Sequence, residues 1–170
     1  SSKSLCTPQT LSLDAYARHD SLLLTTCTYE WYVKSPSENT FVRFSQSQST
    51  TYAFNDPGDY YVFAIVSPNS CSAINTDTIV VVRYKNLDAG KIEGSSTICY
   101  GLPAGPIRVS TSPSGGDGIY AYQWQSKTDG DWVNIPSATT TTYNPGILTE
   151  TTAYRLVVTN TCSTAITNEV

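Results

Sequence analysis

The residues of this chain with the chemistry to act are five cysteines, one histidine and fourteen acidic side chains, spread over 170 positions. Spacing arranges four of the cysteines around two of the three tryptophans. Cys6 lies 25 positions before Trp31 (31 − 6), and Cys99 lies 25 before Trp124 (124 − 99). Cys71 follows Trp31 by 40 (71 − 31), and Cys162 follows Trp124 by 38 (162 − 124). No cysteine pair has the close C-x₂₋₄-C spacing of a zinc site, and a single histidine excludes the usual mixed sites. Thiols this far apart point to disulfides, and so to an oxidising compartment outside the cytoplasm. Matching the two sets pairs Cys6 with Cys71 and Cys99 with Cys162, which leaves Cys27 over as a buried thiol. Three cysteines in the first half allow three pairings, so Cys27–Cys71 also stands open. A bridge closing about 65 residues adds roughly 4 kcal/mol in the chain-entropy model.

The remaining chemistry is sparse. His19 stands in Tyr16-Ala17-Arg18-His19-Asp20 with no nucleophile-elbow sequence to serve, and it reads as a surface-loop residue. Asp56-Pro57-Gly58-Asp59 and Asp129-Gly130-Asp131 are turn signals. With Asp88 they offer oxygen ligands to Ca²⁺, but short of the ligand count of an EF-hand. No metal site, cofactor or catalytic residue is assigned, and no enzyme is expected. Among the aromatics, Tyr32, Tyr100 and Trp132 have no evident place. Trp132 is the candidate glycan contact, against the plainer role of covering a sheet edge.

The elements that hold these residues are strands. In Ile119-Tyr120-Ala121-Tyr122-Gln123-Trp124-Gln125 the bulky aromatics fall on one face, the mark of a half-buried strand. Thr28-Tyr29-Glu30-Trp31-Tyr32-Val33 is its counterpart. Tyr52 and Tyr143 follow the tryptophans at similar distances, and each precedes a Pro-Gly, Pro57-Gly58 or Pro145-Gly146. The runs Tyr60–Val66 and Tyr154–Val158 then lead to Asn69-Ser70-Cys71 and Asn160-Thr161-Cys162. So many landmarks in one order describe two copies of one domain. The expected fold is all-β: two tandem immunoglobulin-like (PKD-like) β-sandwiches, residues 1–86 and 87–170. The second lacks the apolar finish of its last strand. The expected core holds Trp31, Trp124, Tyr52, Tyr143, Tyr61 and Tyr154. Each bridge is expected to tie the first strand of its copy to the hairpin tip, at one end of the sandwich.

Composition narrows the partners. A net charge of −4 with ten scattered basic residues argues against nucleic acid or an anionic membrane surface. No apolar run reaches the 18 or so residues that span a bilayer, so no membrane insertion is expected. With no methionine in the sequence, the chain reads as a fragment or processed segment whose parent continues.

The second copy carries a longer text: Gly90-Lys91-Ile92-Glu93-Gly94, Ile98-Cys99-Tyr100-Gly101, Gly115-Gly116-Asp117-Gly118, Trp132-Val133-Asn134-Ile135, Tyr143-Asn144-Pro145-Gly146-Ile147-Leu148 and Thr151-Thr152-Ala153-Tyr154-Arg155. Over residues 88–170 this series resembles the immunoglobulin-like or PKD-like repeats of very large Bacteroidetes surface proteins, in particular SprB-type gliding-motility adhesins. Residues 1–84 share only the pattern of Cys, Trp, Tyr and Cys. The resemblance implies an adhesin exported through a type IX system to the cell surface, where many small β-domains stack into a stalk. Its partners would be neighbouring repeats, surface polysaccharide or other cell-surface proteins. Asp20-Ser21-Leu22 and Asp77-Thr78-Ile79 look like the O-glycosylation pattern of such exported proteins, which makes Ser21 and Thr78 candidate acceptors. The alternative is a carbohydrate-binding accessory module of a secreted enzyme.

Overall fold

The computed structural model describes residues 2–16, 18, 19, 22, 23, 26–69, 72–94 and 97–170. Every regular element among them is a β-strand, and the chain divides into two compact units, Ser1–Lys85 and Asn86–Val170. Among the described residues no helix is long and apolar enough to cross a membrane.

The first unit contains β1 (Ser2–Leu5), β2 (Gln9–Asp14), β3 (Arg18–His19), β4 (Leu22–Leu23) and β5 (Cys27–Lys34). After them come β6 (Val42–Ser45), β7 (Ser49–Phe54), β8 (Gly58–Pro68), β9 (Ile74–Asn75) and β10 (Ile79–Arg83). One sheet has the order β1-β10-β8-β5-β6, with β9 also paired to β8. Strands β2 and β7 form a separate antiparallel ribbon. Alternation decides what faces inward. Tyr29, Trp31 and Val33 of β5, with Tyr60, Val62, Ala64 and Val66 of β8, are buried against Leu13 and Phe54 of the ribbon. Two sheets closed on one apolar layer make a sandwich.

The second unit contains β11 (Lys91–Glu93), β12 (Pro103–Ala104), β13 (Ile107–Thr111), β14 (Ala121–Lys127) and β15 (Val133–Asn134). It ends with β16 (Thr142–Tyr143), β17 (Gly146–Ile147), β18 (Ala153–Thr159) and β19 (Thr164–Ile166). The sheet β15-β14-β18-β19 faces the sheet β11-β13-β16 across Ile92, Ile107, Trp124, Leu156 and Val158. A two-stranded pair, β12-β17, stands apart from both.

The two units repeat more than their order of landmarks. Trp31 Nε1 donates to the carbonyl of Ser47 at 2.9 Å, and Trp124 Nε1 to that of Thr140 at 2.8 Å, each acceptor 16 residues on. Each indole N–H thus pins the connection beyond the next strand to the core. A threonine also breaks each ladder in the same way. Thr76 Oγ1 accepts from the N–H of Ala64 at 2.9 Å, and Thr167 Oγ1 from that of Leu156 at 3.0 Å.

Two sequence expectations change. Tyr61 is not a core residue; its neighbour Tyr60 is, at 2% exposed. In a strand one position exchanges the two faces, so Tyr61 points outward, where the Lys34 ammonium lies 5.9 Å from its ring centroid. The tryptophan strand of the second unit begins at Ala121, and Ile119, before it, is 75% exposed. Tyr154 and Val170 exchange backbone hydrogen bonds at 2.8 and 3.1 Å, and Val170 packs on the core.

Two glycines set the entry to the second unit. Asp88 and Ser114 exchange backbone bonds at 2.8 and 3.0 Å, and the Asp88 carboxylate accepts the N–H of Gly90 at 2.8 Å. Gly90 (φ 72°) and Gly115 (φ 80°) flank this bridge in left-handed conformations. A Cβ at either would sit 2.0 Å from a carbonyl oxygen, of Thr111 or of Asn86. Only glycine lets the two backbone segments come this close.

Candidate interaction surfaces

Cys99 and Cys162 do not pair as their spacing suggests. Cys6 and Cys162 are each disulfide-bonded, whereas Cys99 is a free, exposed thiol. Cys71 lies outside the described residues. A Cys99–Cys162 bridge is excluded by the length of β18. Cys99 lines a cleft with Thr152 and Tyr154, at the start of that strand, while Cys162 follows its far end. Seven residues of strand span roughly 20 Å, and a disulfide needs Cα atoms within about 7 Å. Cys27 packs half-buried against the first core. Burial, and after it the Cys27 side chain, raises the Tyr29 hydroxyl above its ordinary pKa. Brief alkylation of the native chain, read by mass spectrometry, is expected to label Cys99 first and to leave Cys6 and Cys162 untouched until reduction. An unlabelled Cys99 would contradict its exposure.

The other singled-out residues fall into three groups. Trp31, Trp124 and Tyr154 are buried, and Tyr52 and Tyr143 pack on the cores half-buried. Tyr143 lies between Trp124 and Tyr154, with ring centroids 6.0 and 5.7 Å away. Two of the acidic turns are held locally: the Tyr60 hydroxyl bonds the backbone of Asp56, and the Asp88 carboxylate caps its own turn. Among the described residues no three His, Cys, Asp or Glu side chains gather to hold a metal. Thr78 is exposed just before β10. Ser21 and the His19 side chain lie outside the described residues.

The outer face of the first unit's sheet carries a strip of aromatics that gives Tyr32 its place. Tyr32 stacks on Phe63 at 5.3 Å between centroids and 10° between planes, and Phe41 meets Phe63 edge-on at 5.0 Å. Beside them Arg43 and Tyr32 both donate to the Glu30 carboxylate, Tyr32 at 3.2 Å. The Arg43 guanidinium chiefly, then Tyr32, holds that carboxyl below its ordinary pKa. The signal was present in Tyr60-Tyr61-Val62-Phe63-Ala64-Ile65-Val66. A strand with one wet face alternates, whereas this run is apolar on both faces.

The same face of the second unit is polar. Arg155 Nε donates to Gln125 Oε1 at 2.7 Å, and Gln125 Nε2 to Asn134 Oδ1 at 2.8 Å, a row running across three strands. Trp132 closes its end, with the Arg155 guanidinium 4.2 Å from the ring centroid. Trp132 is half-buried, with this cation over one face of its ring.

At the end of the second unit where β18 begins, a cavity of about 410 Å³ opens between the loop of Ile98 and Tyr100 and the loop of Thr149 and Glu150. Buried Ile107 and Tyr154 also line it, and the Gly101 N–H, donating to the Leu148 carbonyl at 3.1 Å, joins the two loops. Burial, and secondarily Tyr143, raises the Tyr154 hydroxyl above its ordinary pKa.

At the opposite end of β18, Asp117 joins the turn before β14 to the β18–β19 hairpin. Its carboxylate accepts from Thr161 Oγ1 at 2.6 Å and from the Ile119 N–H at 3.0 Å, and these bonds lower its pKa. A depressed carboxylate stabilises the fold above its unfolded-state pKa, near 3.9, and that contribution fades as pH falls through the folded-state value. Thermal melts at neutral and acid pH are expected to show a smaller acid-induced loss in Asp117→Asn than in the native chain. Equal losses would remove this link.

Strand order, the closed apolar layers and the tryptophan anchors define the chain as all-β with immunoglobulin-like units. Residues 88–170 match the model of a domain of unknown function, DUF8696. Among solved structures, the chain is similar to the N-terminal four immunoglobulin domains of Dscam1 isoform 6.9, with 16% identity and a TM-score of 0.40. That match covers 98% of this chain and 41% of the other. A C-terminal 282-residue fragment of intimin, in complex with the intimin-binding domain of the translocated intimin receptor, gives 14% identity and a TM-score of 0.47. It covers 99% of this chain and 60% of that one. The amphioxus IgVJ-C2 molecule gives 10% identity and a TM-score of 0.47, covering 100% and 98%. Comparison with curated proteins finds no match.

Proposed function

We propose that the two units are non-enzymatic structural and interaction modules of a large secreted cell-surface adhesin, of the SprB-like kind that serves gliding motility and attachment. The observation that carries this reading is the outer strip of Tyr32, Phe41 and Phe63, where an open sheet face keeps aromatic surface in water. Disulfide-bonded Cys6 and Cys162 support an extracellular, oxidising location. The ordered motifs of residues 88–170 support the adhesin class and export by a type IX system. Neighbouring repeats, surface polysaccharide or other cell-surface proteins are the partners, and Thr78 is an accessible acceptor for O-glycosylation. No cofactor is needed. Arg155 over one face of Trp132 weighs against the accessory-module alternative, which needs an open aromatic platform. In-frame deletion of this segment from the parent gene tests the proposal. Reduced attachment or gliding at unchanged protein level is expected, and normal behaviour would overturn an interaction role.

A further inference from the structure

We infer that the cleft between the Tyr100 loop and the Glu150 loop of the second unit binds a neutral saccharide. Its size suits one, since ligand sites run from about 300 to 1,000 Å³ and this cavity measures about 410 Å³. Its chemistry is divided as a sugar ring is divided. Ile107, Leu148 and Tyr154 give an apolar floor, and Tyr100, 82% exposed, gives a ring with an open face at the mouth. Packing against an aromatic ring requires a ligand with an apolar C–H face.

The opposite wall is hydroxyl and carboxylate. Thr149 and Glu150 are exposed, and neither side chain makes a hydrogen bond among the described residues. An ionised carboxylate accepts strong hydrogen bonds from ligand hydroxyls. Among the described residues that line the cleft, Glu150 is the only charged one. An anionic ligand would meet a carboxylate on a chain of net charge −4, so uronic acids and sulfated sugars are disfavoured. An added peptide strand is disfavoured too. It needs a row of open backbone groups, whereas Gly101 N–H and Leu148 C=O bond each other and Pro145 has no donor.

This inference stands apart from the adhesin reading, since sugar binding by the purified chain does not depend on where the parent protein works. The test is an amide-shift titration of the whole ¹⁵N-labelled chain with cellohexaose, mannohexaose and chitohexaose, and with hexagalacturonate as the anionic arm. At least one neutral oligomer is expected to shift Thr149–Thr152 and Tyr100, with a dissociation constant on the order of 1 mM. Tyr100→Ala is expected to weaken that binding about tenfold, because Tyr100 lies outside the core. Trp132→Ala should leave it unchanged. No shift with any neutral oligomer, equal binding of hexagalacturonate, or binding indifferent to Tyr100→Ala would overturn the inference.

Discussion

Replacing Trp124 by alanine is expected to destabilise the second unit by about 3–5 kcal/mol, the usual cost of emptying a buried aromatic site. Trp124 is 0% exposed and packs with Tyr143, Leu156 and Val158. Its loss also strands the Thr140 carbonyl, which the indole N–H now satisfies. Trp124→Phe separates the two effects. It keeps most of the apolar volume and removes the hydrogen bond, for a smaller loss of roughly 1–2 kcal/mol. Chemical denaturation followed by circular dichroism reads both. An alanine variant as stable as the native chain would mean that Trp124 does not anchor the core.

Gly115→Ala should cost nearly as much, for a backbone reason. A non-glycine residue in the left-handed region loses about 1–2 kcal/mol. The new Cβ would also lie 2.0 Å from the Asn86 carbonyl oxygen, so the segments joined by the Asp88–Ser114 bridge must part. Losing those two hydrogen bonds adds about 1 kcal/mol each, for a total of roughly 3–4 kcal/mol. Gly118→Ala is the control. Gly118 shares the positive φ, at 78°, but has open space around its Cβ, so it carries the strain without the clash. If the two variants melt together, the close approach contributes nothing.

The all-β class and the tryptophan strands were legible because period-two alternation and Cys–Trp spacing are local signals. Tyr61 shows where such signals stop. The pair Tyr60-Tyr61 gives two similar rings in succession, and only the strand register, Val81 opposite Tyr60, says which one is buried. Cys99 marks a second limit. Its distance in sequence from Cys162 fits a long loop, but sequence distance does not say at which end of β18 each cysteine lies. The cleft was hidden for the same reason, since its walls come from loops 50 residues apart that the β12–β17 pair and the Gly101–Leu148 backbone bond bring together. The aromatic strip was written plainly in the two-faced run Tyr60–Val66.

Where the parent protein stands in the cell bears most directly on the proposed role. Antibodies raised against this chain, applied to intact cells of the producing organism, measure it. Labelling of unpermeabilised cells, with the labelled spots travelling along the cell surface, is the expected result. Labelling that appears only after the envelope is opened would contradict a cell-surface adhesin.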